Sequence, residues 1–258
     1  MSQPIFSINQ YVWTGNGKDN EWTNSENWLL NGSSTTSYPG YISDPSSPCT
    51  DGDDASGSTL LAEAQFPSNL SSLSITITKP VCFFLLTVNK NSNLELNPAA
   101  YFSVGGLGGI GWSQPSVPAS QIWSDITFNV DNVNSVVISS PSLILNGNLT
   151  FNIKYVGEGG NPDTGIYLNP YTANSTGNMG IISQNQYSPT ITVNVPPENP
   201  YLSNYVFDIT GTFCPITIYI PSSLSSNYSY DTPFYIDQSN TMPTKEPTVI
   251  FTSGNWNN

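Results

Sequence analysis

The feature that most constrains this chain is a run of short apolar/polar alternations in which no helical period appears. Leu73–Thr78 reads LSITIT, Phe83–Val88 FFLLTV, Asn93–Leu96 NLEL, Ile126–Val130 ITFNV and Ser135–Ile138 SVVI. Leu143–Leu145, Leu149–Val156, Thr190–Val195, Tyr205–Ile209, Ile216–Ile220 and Thr248–Phe251 continue the series. Alternation at a period of two, carried by β-branched and aromatic residues, is the mark of half-buried strands. Gly, Pro, Asn and Ser punctuate the segments as turn formers do. The chain is therefore expected to be all-β, either a β-solenoid of parallel β-helix type or a multi-stranded β-sandwich.

Three zones are expected. Residues 1–66 form a Trp-rich, acidic N-terminal cap segment, and 67–156 a solenoid-like core. Residues 157–258 form a C-terminal β region with proline-rich joints such as Val195–Pro200, continuous with the core or separate from it. Between 67 and 156 the strands recur in pairs or triplets about two dozen residues apart, near the length of one solenoid turn, with no residue fixed at each repeat.

Composition narrows the chemistry. Charged residues make up 9% of the 258 residues, with five lysines, no arginine and no histidine, and the net charge is −13. A chain this acidic, without a guanidinium fork, is expected to bind no nucleic acid. Without histidine there is no Ser–His–Asp or Cys–His set and no His-ligated metal. Eighteen acidic residues supply carboxylates, but no motif singles out a pair for glycoside hydrolysis. The glycine-rich run at 105–111 is followed by no helix or basic residue that could hold phosphate. The expectation is a protein that is not an enzyme.

The longest apolar run, around Val81–Leu86, is too short to span a bilayer, so no membrane insertion is expected, and Met1–Gln10 lacks the pattern of a secretory signal. Cys49, Cys82 and Cys214 allow one disulfide with one free thiol, Cys49–Cys82 closing the shorter loop, or three buried thiols. Sequons begin at Asn31, Asn69, Asn148, Asn174 and Asn227.

The most specific stretch is Val12–Trp28, VWTGNGKDNEWTNSENW, followed by Tyr38-Pro39-Gly40, by Asp51-Gly52-Asp53-Asp54-Ala55 and by the first strands. It resembles the opening of bacterial surface and autotransporter-type passenger modules. That pattern is W-x-G, a Gly/Asn loop, W-[ST]-x-x-x-N-W, a proline, a G-D-x-A segment and then a β-solenoid. Trp13, Gly15, Trp22, Asn27, Trp28, Pro39, Gly52, Asp53 and Ala55 fall on it in order, over about the first hundred residues. The span from Trp28 to Asp53 is longer than in that family and holds an extra Cys49. The resemblance implies a capped fold and a surface setting, and no particular activity.

Two functional roles compete for these residues. The indoles of Trp13, Trp22 and Trp28 either cover the exposed first turn of a solenoid or, with Trp112, form an aromatic platform for a sugar ring. Asp51, Asp53 and Asp54 either make a solvated turn or could ligate a structural Ca²⁺, the only cofactor considered; Glu158 and Asp163 form a weaker candidate of the same kind. The leading expectation is a non-catalytic, extracellular structural or adhesive protein of the cell surface, self-associating into a filament or layer. Its partners would be copies of itself, glycans or other surface proteins. The alternatives are a carbohydrate-binding module and a virion or appendage fibre protein.

Overall fold

The computed structural model describes residues 8–41, 62–70, 72–105, 119–131, 136–138, 143–155, 165–168, 181–182, 187–194, 206–210, 217–221, 234–237 and 248–252. The chain is all-β, and its only helical element among these residues is a single 3-10 turn, Ser25–Asn27.

From Ala62 onward the chain visits three sheets in rotation. The first pass is β4 (Ala62–Phe66), β5 (Leu73–Ile77) and β6 (Val81–Phe83); the second is β7 (Leu85–Val88), β8 (Leu94–Pro98) and β9 (Phe102–Val104). The third comprises β10 (Ser120–Ile122), β11 (Ile126–Asp131) and β12 (Val136–Ile138), and the fourth β13 (Leu143–Leu145), β14 (Leu149–Tyr155) and β15 (Gly165–Leu168). The fifth is β16 (Ile181–Ile182), β17 (Thr190–Asn194) and β18 (Val206–Thr210). Beyond it β19 (Thr217–Pro221) and β21 (Thr248–Thr252) extend the second sheet, and β20 (Phe234–Asp237) the third. Each strand pairs in parallel with its counterpart one pass earlier, as in Leu73↔Leu94, Leu94↔Ile126, Ile126↔Leu149 and Leu149↔Ile191. A Greek-key sandwich pairs its neighbours antiparallel, and no antiparallel pair occurs among these strands. The same three sheets run across residues 156 and 157, so the C-terminal strands continue the core. β4, placed in the N-terminal zone by sequence, already belongs to the first pass.

In-register stacking converts alternation into columns. Inward positions of the second sheet carry Ile75, Leu96, Phe128, Phe151 and Val193, all buried. Phe128 lies flat on Phe151 at 5.1 Å, and Phe102 meets Phe128 edge-on. Aromatic contacts of this kind add to the gain from buried apolar area.

Outward positions carry a second column that the sequence reading left out when it found no fixed residue. The tetrapeptides Leu94-Glu-Leu-Asn97, Ile126-Thr-Phe-Asn129, Leu149-Thr-Phe-Asn152 and Ile191-Thr-Val-Asn194 stack in register. Their asparagines form a ladder. Asn129 Nδ2 donates to Asn97 Oδ1 at 2.9 Å, Asn152 to Asn129 at 2.9 Å and Asn194 to Asn152 at 2.8 Å. Asn129 and Asn152 each donate to one asparagine and accept from the next, satisfying polar groups that the stack covers.

Corners between the first and second sheets are tight. A Cβ on Gly147 would lie 2.2 Å from the Ser124 carbonyl oxygen one pass below, so only glycine fits. Ser124 Oγ donates to Asn89 O at 2.7 Å and accepts from Ser92 N at 3.1 Å, while Ser92 Oγ donates to Pro67 O at 2.8 Å. A column of serines thus ties successive corners together.

Candidate functional site

The tryptophan motif folds as a lid on the first pass. β1 (Asn9–Trp13) adds to the first sheet in parallel with β4 and forms an antiparallel hairpin with β2 (Trp28–Leu30), which pairs with β3 (Ser33–Ser34). Asn27, wholly buried, holds the loop between β1 and β2. Its Oδ1 accepts from Gly17 N at 2.8 Å, and its Nδ2 donates to Asp19 Oδ1 at 2.8 Å and Glu21 O at 2.9 Å. Gly15 turns the chain at φ +68°, a conformation that glycine adopts without strain. The bonds from Glu21 N, Asn24 and Asn27 hold the exposed Asp19 carboxyl below its ordinary pKa.

All three sheet edges are met by this lid. The first is extended by β1. The second is closed by a parallel bridge of Glu21 to Thr76, with Trp22 N donating to Thr76 O at 2.9 Å and Thr76 N to Asn20 O at 3.0 Å. The third meets Gly40, whose carbonyl accepts from Cys82 N at 3.4 Å and whose α-carbon sits so close that a Cβ would lie 2.8 Å from that nitrogen. Trp13, Trp22 and Trp28 are 2%, 0% and 1% exposed. Trp22 packs on Trp28 (4.9 Å), Phe83 (5.4 Å), Phe102 (5.7 Å) and Phe66 (5.8 Å), and its indole N–H donates to Pro39 O at 3.0 Å. Trp28 Nε1 donates to Trp22 O at 2.8 Å. Rings enclosed in this way present no open face to a sugar ring, as the aromatic platform of Trp13, Trp22, Trp28 and Trp112 would need. Its fourth member, Trp112, lies outside the described residues.

Asp51, Asp53 and Asp54, with Glu158 and Asp163, also lie outside the described residues. Cys82 is disulfide-bonded, with its partner outside them too. Trp123 is half-buried at a corner beneath Lys90 Nζ, 4.8 Å from the ring centroid, and meets Tyr187 edge-on. Among the described residues no helix is long and apolar enough to cross a membrane.

A groove of about 440 Å³ lies on the outer face of the second sheet. It crosses β5, β8, β11 and β14, with Glu95, Asp125, Thr127, Asn129 and Asn152 among its walls. Glu95 Oε1 accepts from Asn129 Nδ2, and Asp125 Oδ1 from Asn148 N at 2.8 Å. Sequence reasoning passed over these residues because eighteen acids offer no way to pair two that lie thirty residues apart in the chain. The recurrent asparagine at the fourth position of each tetrapeptide was the available signal. Uneven connections hide it from any search at a fixed period.

No protein-family model matches the chain, and no curated relative or solved structure matches it significantly.

Proposed function

We propose that this chain is a non-catalytic β-solenoid module of an extracellular structural or adhesive protein. The observation that carries the reading is the lid. Three buried indoles and three separate edge contacts close one end of the strand stack. A closed end prevents runaway strand addition there, as an open parallel edge would not. The outer columns of Thr and Asn support a display role, because they offer a regular, sparsely charged face while the net charge of −13 opposes random aggregation. Self-association then proceeds through side faces and not through the capped end.

Sizing of purified protein with electron microscopy tests the assembly part. Elongated particles that associate laterally as concentration rises are expected. A compact particle that stays monomeric at the highest attainable concentration sinks it.

A further inference from the structure

We infer that Cys82 is joined to Cys49 and that this bond latches the lid to the third sheet, leaving Cys214 as a thiol. The inference goes beyond the reading above and holds wherever the protein resides.

Reach decides the partner. Cys82 is disulfide-bonded, and the chain has two other cysteines. Cys82 sits in β6, in the first pass. Cys214 lies three residues before Thr217, which opens β19, five strands beyond β5 in the second sheet. Allowing one full strand spacing for the rise within a pass, about 19 Å of stack separates Thr217 from the level of Cys82. Three residues span at most about 11 Å. About 8 Å or more then remains, whereas the α-carbons of a disulfide stand about 4.4–6.8 Å apart. Cys214 is therefore out of reach. Cys49 follows Gly40 by nine residues, and the Gly40 backbone already lies against that of Cys82, accepting from its N–H at 3.4 Å.

The place of the bond gives its role. Val81 and Phe83 join the core and Cys82 between them does not, so alternation puts its Sγ on the outer side of the third sheet. Of the three edge contacts the third is the slightest. β1 pairs with β4 along four residues, and Thr76 exchanges bonds of 2.9 and 3.0 Å with the loop, but Gly40 and Cys82 share one bond of 3.4 Å. A covalent link beside that bond holds the lid where hydrogen bonds hold it least. It forms by exchange with an external disulfide. Cys49 and Cys82 give up two protons and two electrons, and that disulfide leaves as two thiols. Reduction reverses the step and loosens the lid from the β6 edge, which can then pair with another strand.

The first test is mass spectrometry of the full chain, alkylated without reduction and cleaved after glutamate. Glu63 separates Cys49 from Cys82, and Glu198 and Glu246 bracket Cys214. One linked pair holding Cys49 and Cys82 is expected, with Cys214 alkylated. A Cys82–Cys214 link, or alkylated Cys82, overturns the pairing. Thermal melts with and without dithiothreitol test the latch. The reductant is expected to lower the melting temperature of the parent and of Cys214→Ser by about 5 °C or more. Cys49→Ser should melt at the reduced parent's temperature and ignore the reductant. Light scattering should show the reduced parent associating at concentrations where the oxidised parent does not. Equal melts of oxidised and reduced parent, or loss of the reductant response in Cys214→Ser, overturns the latch. The digest uses the parent chain alone, so the pairing is decided even where Cys49→Ser fails to fold.

Discussion

Replacing Trp22 by alanine is the sharpest perturbation of the cap. The indole is wholly buried, has four aromatic neighbours within 6 Å and bonds the Pro39 carbonyl. Truncating a buried tryptophan costs about 3–5 kcal/mol through lost transfer energy and the cavity left behind. The Pro39 carbonyl, buried without its donor, adds about 1 kcal/mol or more. We expect a loss of about 4–6 kcal/mol, a large share of the roughly 5–15 kcal/mol by which a domain is stable. With a urea slope of about 3 kcal/mol/M, the unfolding midpoint falls by about 1.3–2 M. Trp22→Phe keeps most of the ring packing and removes only the N–H and part of the volume, so it should cost about half as much. Urea melts followed by circular dichroism measure both variants. The freed edge at Thr76 should also make Trp22→Ala associate at concentrations where the parent does not, which light scattering reads. A loss below about 1 kcal/mol in Trp22→Ala would refute the lid as a structural element and reopen its indoles as a ligand surface.

Other substitutions probe the remaining parts. Gly147→Ala forces a Cβ onto the Ser124 carbonyl and should cost at least about 2 kcal/mol, seen as a lower melting temperature. Asn152→Ala breaks the amide ladder toward both Asn129 and Asn194 and should cost about 1–2 kcal/mol in chemical melts; Thr150→Ala, an outward neighbour, should cost less than half that. Asp19 has its folded pKa lowered by hydrogen bonds, so its contribution is fully present above the ordinary value of 3.8 and is lost as pH falls through the lower folded value. Asp19→Asn should flatten the fall in stability below pH 4, and an unchanged acid limb would contradict that role.

Much of this fold was legible in the sequence because strand alternation is a local signal. The segments LSITIT, ITFNV, LTFNI and TITVN are strands in the structure as read, and each buries the apolar set its alternation marks. The pairing of those strands was not local. Residues as far apart as Leu149 and Ile191 lie side by side, and connections of unequal length blur the repeat that would have revealed it. The cap was legible for a different reason, since indoles and glycines at fixed offsets carry both bulk and turn geometry. What each residue covers was not: Glu21 meets Thr76, and Gly40 meets Cys82, through contacts between segments far apart in the chain. The groove was the least legible part. Glu95 and Asp125 acquire meaning only once register brings β8 and β11 together.

The central claim, a capped module displayed outside the cell, is tested most directly by immunogold labelling of intact producing cells or particles. Antibodies raised against the purified chain are expected to decorate the exterior without permeabilisation. Gold found only in the interior of sectioned cells would contradict the account.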